Sequence, residues 1–152
     1  MKRIKTAALS ILALTATAPA FACSCLFPES AEQQLDQAGI AFIGTVIDTG
    51  VKEDKPAWWH WLTPWRDRPA PAWDAEHVTT FQIDRMLKGP NTLDTITFVH
   101  GVSGAACGVR YQTQQSGVFI GYEQSDGYYS TSLCSSARFP EENFIKAVEA
   151  EN

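Results

Sequence analysis

Apolar residues recur along this chain at two spacings, and the spacings divide it into elements. Over residues 40–49 the alternation has period two. Phe42, Gly44 and Val46 fall on one side, and Ile43, Thr45 and Ile47 on the other. Period two predicts a strand, and apolar residues on both sides predict one covered on both faces. Gly44 inside it signals a bend or a close backbone approach. Residues 77–87 predict a second strand, with Phe81 and Ile83 on one face. Residues 94–100 predict a third, with Ile96 and Phe98 inward, and Lys88-Gly89-Pro90-Asn91 reads as the turn between them. Residues 117–122 and 127–133 predict a final pair. Helical spacing appears only near the two ends. Ala31, Leu35 and Ala38 predict a helix over 28–38, stopped by Gly39. Phe144, Ile145 and Val148 predict another over 140–150, with Pro140 at its start and Glu141 and Glu142 in its first turn.

Five strands, two short helices and no internal repeat predict a mainly β chain. A five-stranded Greek-key barrel fits the count, although periodicity also accommodates a small sandwich. Residues 51–75 break the pattern. They hold four prolines and all five tryptophans, Trp58, Trp59, Trp61, Trp65 and Trp73, with no clean period. They read as a long loop or extended hairpin inserted in the domain. Exposed aromatic residues mark binding surfaces, so Trp58, Trp59, Trp61 and Trp65 are candidate partner contacts. A self-packed lid is the plainer reading.

Residues 1–22 read as an export signal that is removed. Lys2, Arg3 and Lys5 form a basic start, residues 7–18 are apolar and small, and Ala20-Phe21-Ala22 is a cleavage pattern. The apolar run is short for a membrane span. Cleavage after Ala22 leaves residues 23–152 as one domain, secreted or periplasmic, and expected to be monomeric. It also removes three of twelve basic residues and no acidic ones, so the mature formal charge is 9 − 17 = −8. An acidic chain without a basic run argues against nucleic acid and anionic membrane surfaces.

Cleavage there makes Cys23 the first residue. All four cysteines, Cys23, Cys25, Cys107 and Cys134, follow the signal. An even number in an exported chain points to two disulfides. Cys23 and Cys25 are too close to pair easily, which leaves two arrangements, each tying the N-terminus to late segments. Loop entropy gives such a bridge roughly 4–5 kcal/mol at most. A redox or copper-binding C-x-C pair is a further reading, weakened by two methionines and three scattered histidines. Acylation of Cys23 as a lipoprotein is another, disfavoured by Ala20 and Phe21 before the cut. His100 sits at a strand end with no visible catalytic partner. The chain carries no Ser/His/Asp set, paired carboxylate site or phosphate loop, and reads as a non-enzyme without a cofactor.

As an ordered set, Cys23-Ser24-Cys25, Phe42-Ile43-Gly44-Thr45-Val46, Phe81-Gln82-Ile83, Leu87-Lys88-Gly89, Cys107-Gly108, Gly117-Val118-Phe119-Ile120-Gly121 and Cys134 resemble the N-terminal domain of the tissue inhibitors of metalloproteinases, within the netrin-like family. The third disulfide of that domain has no cysteines here. The resemblance implies a barrel of the oligonucleotide/oligosaccharide-binding type, and pairing of Cys23 with Cys107 and of Cys25 with Cys134. It implies that the amino nitrogen and carbonyl oxygen of Cys23 cap the zinc of a partner metalloproteinase. Ser24 would then enter the specificity pocket, with Cys25, Leu26, Ala105, Ala106 and Cys107 flanking it along the cleft. The alternative within the same family is an envelope or extracellular binding module that uses the tryptophan-rich loop and inhibits nothing.

Overall fold

The computed structural model describes residues 23–52, 75–104, 107–125 and 127–151. The expected export signal, the tryptophan-rich segment 53–74, and Ala105 and Ala106 lie outside the described residues. The strands are β1 (Ile40–Val51), β2 (His77–Lys88), β3 (Thr95–His100), β4 (Ser116–Glu123) and β5 (Tyr129–Ser130). Helix α1 spans Ala31–Gln37 and α2 spans Glu141–Glu151. The strands close into a barrel in the order β1-β2-β3-β5-β4, with β1 hydrogen-bonded to β4. Every pairing is antiparallel except β3 with β5, where Phe98 faces Tyr129 and Val99 faces Ser130. The expected five-stranded barrel is therefore the fold.

β1 is apolar on both faces for two separate reasons. Ile40, Phe42 and Val46 point into the barrel with Phe81, Ile96, Phe98 and Phe119. Ala41, on the opposite face, lies in a second core with Ala31, Leu35, Ala38, Leu87, Ile120 and Phe144, where the helices cover the barrel wall. Four phenylalanines fill the barrel. Phe81 lies 4.5 Å from Phe119 between ring centroids, and Phe42 meets Phe81 edge-on at 5.5 Å. Edge-to-face rings add to the stabilisation from burial alone. Gly44 is where β1 bends: the register with β2 shifts between Ile43 and Gly44, and a side chain at Gly44 would strike the carbonyl oxygen of Gln82.

Apart from shifts of one or two residues, the elements differ from the sequence reading at three ends. α1 starts at Ala31, not Pro28, because Ser30 caps it: its hydroxyl accepts from the Gln33 amide at 3.1 Å. Gly39 is not a left-handed stop. Ala38 leaves the helix in an extended conformation, and the Gly39 amide donates to Gly121 of β4. The C-terminal carbonyls of α1 are met instead by Lys88, whose ammonium donates to Leu35 and Asp36 at 2.7 and 2.9 Å. Strand β5 is two residues long, because the chain turns into a single 3-10 turn at Leu133–Ser135. Among the described residues, no helix is long and apolar enough to cross a membrane.

Candidate functional site

Two loops at one end of the barrel carry the partners of the N-terminal cysteines. The first leaves β3 at Gly101 and folds back on itself. The Gly108 amide donates to Ser103 and the Val109 amide to Gly101, each at 2.9 Å. Small residues permit this. A side chain at Gly108 would come within 2.5 Å of the Gly101 carbonyl oxygen, and Cys107 sits in the left-handed region at φ 55°. The second loop is the Leu133–Ser135 turn. Its Leu133 amide donates to the Cys107 carbonyl at 2.8 Å, which holds Cys134 beside Cys107.

The N-terminal segment lies across both loops. Cys23 is bonded to Cys107 and Cys25 to Cys134, with Cα–Cα separations of 5.5 and 5.3 Å. Of the two arrangements open to the sequence, this is the one formed, and no cysteine is free. Two such bridges are the mark of an oxidising compartment. They span 84 and 109 residues of chain. The half-cystines are partly buried, whereas Ser24 between them is exposed. Leu26 is 99% exposed, Phe27 51% and Leu133 48%, so apolar groups cluster on the outside of this edge. The Arg138 guanidinium lies over the Phe27 ring at 3.4 Å from its centroid, a cation–π contact.

Beneath the edge, Ser135 is fully buried. Its hydroxyl accepts from the Ser132 amide at 2.6 Å and lies 3.1 Å from Thr131 Oγ1. Thr131 in turn donates to the Ile120 carbonyl of β4. The first loop is anchored by His100, at the end of β3. Its Nδ1 lies 3.3 Å from the Gly101 carbonyl and its Nε2 2.8 Å from Thr79 Oγ1. A carbonyl only accepts, so Nδ1 carries the proton, while Nε2 is paired with the Thr79 hydroxyl, which also reaches Thr49 Oγ1 at 3.3 Å. Burial holds the imidazole below its ordinary value of 6.5. The carbonyls of Gly101 and Val109 oppose that shift, and His77, whose ring lies 6.1 Å away, adds to it. The Tyr111 ring meets His100 edge-on at 5.2 Å, and its own burial pushes its hydroxyl above 10.

Cys23, Ser24, Cys25, Leu26 and Cys107 are thus brought together on one edge. Ala105 and Ala106 precede Cys107 in the chain but fall outside the described residues, as do Trp58, Trp59, Trp61 and Trp65. Sequence reading missed Phe27, Arg138 and Leu133. Phe27 stands next to the singled-out Leu26, but Arg138 reaches it only through the fold. It also missed that His100 anchors the loop bearing Cys107. Among the described residues no cluster of three or more His, Cys, Asp or Glu side chains could hold a metal. No protein-family model and no curated protein matches the chain.

Proposed function

We propose that this chain is an exported inhibitor of a zinc metalloproteinase, and that cleavage after Ala22 frees the Cys23 α-amino group to cap the protease zinc. One observation carries the reading: Cys23–Cys25 is held by two disulfides on an exposed edge, with Ser24 and Leu26 projecting from it. A catalytic zinc keeps one position for water. A neutral amine and the adjacent carbonyl oxygen of Cys23 are suited to displace that water, the metal being the partner's own. The bridges remove most of the ordering cost of presenting a chain terminus. The Cys23 sulfur is also consumed by Cys107, which leaves it no valence for a thioether lipid. That supports a free amine at the mature terminus.

The test compares mature protein, verified by intact mass to begin at Cys23, with protein carrying one extra residue before it. Both are assayed against a panel of zinc metalloproteinases. The mature form is expected to inhibit, and the extended form to lose inhibition while keeping the same thermal melt. Equal inhibition by the two forms, or none by the mature form across the panel, rejects the reading. Inhibition is further expected to weaken as pH falls below about 7.7–8.0, where an α-amino group gains its proton and its lone pair is lost to zinc.

A further inference from the structure

Strand β4 is paired along its whole length on one edge only. Its ladder with β1 runs from Ser116 to Gly121, whereas β5 meets it only at Tyr122 and Glu123. The chain turns away at Leu133–Ser135 before β5 can extend further along β4. Strand geometry fixes which backbone groups this leaves over, because successive residues of an antiparallel ladder present N–H and C=O to opposite edges. Gln115 and Gly121 face β1: the Val46 amide donates to the Gln115 carbonyl and the Gly39 amide to the Gly121 carbonyl. Ser116, Val118 and Ile120 therefore face the other way. The Ile120 carbonyl has that parity, since it accepts from Thr131 Oγ1 across the gap at 3.1 Å. Among the described residues no hydrogen bond reaches the other outward groups, the N–H and C=O of Ser116 and Val118 and the N–H of Ile120. Val118 is half-buried and Ile120 is 2% exposed, a setting in which backbone polar groups need partners. A cleft of about 230 Å³ runs along this edge, between β4 and a far wall that includes Val109, Tyr111 and Ser136. We propose that the cleft is a peptide-binding site, in which an extended, uncharged segment of a partner protein adds to the sheet as a strand beside β4.

Three observations select that occupant. The unmet groups come as a donor and an acceptor on every second residue, so the pattern repeats about every 6.8 Å, twice the rise of a strand. An extended backbone carries the complementary groups at the same repeat, which is how a peptide adds to an open sheet edge. A small molecule would meet one residue's pair and leave the next. Second, every side chain lining the cleft is uncharged. A charged side chain or a phosphate entering it would lose water without gaining a counter-charge. Third, the edge is recessed behind its far wall. Strand pairing needs an approach of about 4.7–4.9 Å. A single extended segment can enter to that depth, whereas a second copy of this chain would bring its own far wall along with its own β4 and be held off.

The site shares no residue with Cys23–Phe27, Cys107 or Cys134, so it stands or falls separately from protease inhibition. The test titrates ¹⁵N-labelled mature protein with three capped pentapeptides: acetyl-Ser-Val-Thr-Val-Ser-amide and its forms with alanine or leucine in place of valine. The first peptide, N-methylated at its three central residues, is the control that cannot pair as a strand along either edge. At least one unmethylated peptide is expected to give saturable shifts at the Val118 and Ile120 amides and to slow their hydrogen exchange. The N-methylated peptide is expected to do neither. Val118→Pro deletes one outward N–H and leaves the ladder to β1 in place. It should weaken binding about tenfold, the equivalent of about 1.4 kcal/mol. The N-methylated control uses the unaltered protein, so it decides the matter even where Val118→Pro does not fold. No shift at either amide with any of the three peptides, or equal binding by the N-methylated one, overturns the proposal. So does a folded Val118→Pro that binds as the parent does, or slow exchange at both amides in the free protein. Shifts at Val118 that grow with protein concentration alone overturn it in favour of a second copy.

Discussion

The barrel interior and the disulfide edge are held by different physics. The interior is four phenylalanines and aliphatic residues removed from water, with ring contacts of 4.5–5.7 Å among Phe42, Phe81, Phe98 and Phe119. The edge has little apolar burial: Leu26, Phe27 and Leu133 face outward. Its order comes from two covalent bonds, short backbone hydrogen bonds and a buried serine. The difference teaches that a surface can be rigid without being part of a core. Side chains on such a surface can be chosen for a partner, because the fold does not depend on their burial.

The largest break in this comparison is Phe81→Ala. It removes a fully buried ring from the centre of the barrel. It should cost about 3–5 kcal/mol, read as a lower urea midpoint at unchanged slope. A loss below 1 kcal/mol would mean that the interior repacks and is not the rigid half of the molecule. Next comes the paired change Cys25→Ser with Cys134→Ser. It should cost about 2–4 kcal/mol, while the far-ultraviolet spectrum of the barrel survives at low temperature. Loss of the barrel spectrum itself would show that the edge holds the strands together.

His100 joins the two regions and sharpens the contrast through pH. Its folded-state value is depressed by burial, so its contribution to stability is present in full above 6.5. That contribution falls as pH drops below 6.5 and is gone below the folded-state value. The urea midpoint should therefore decline between neutral and mildly acidic pH, and His100→Gln should flatten that part of the profile. An identical profile in the variant would remove His100 from the account. The smallest expected effect on stability is that of Leu26→Ser, within about 0.5 kcal/mol because the side chain is fully in water. If the edge docks a protease, the same change should weaken inhibition several-fold, a split that a purely structural residue would not produce.

Much of the fold was legible in the chain because the signals are local. Alternation at Phe42, Gly44 and Val46, or at Ile96 and Phe98, needs only a strand and one apolar side. The stripe Phe144, Ile145, Val148 needs only a helix. Gly44 announced a close approach, and Gln82 supplies it. The misplaced ends were decided by single contacts: Ser30 on Gln33, Gly39 on Gly121, and the turn at Leu133 that cuts β5 short. Of the candidate edge, the C-x-C pair was visible as residue types, whereas Ser24 and Leu26 were singled out only through the family resemblance.

The sequence by itself determined the elements, the even cysteine count and the tie between the N-terminus and two late segments, because these depend on neighbours a few residues apart or on valence. Only the tertiary structure decided which late cysteine each early one meets: Cys23 meets Cys107 and Cys25 meets Cys134, with Cα atoms 5.5 and 5.3 Å apart. It alone set Thr79 against His100, Arg138 over Phe27, and Lys52 with Glu76 beside Tyr128. These partners are separated by tens to more than a hundred residues, and no local period encodes them. Pairing of β1 with β2 brings Lys52 to Glu76, and pairing of β2 with β3 brings Thr79 to His100.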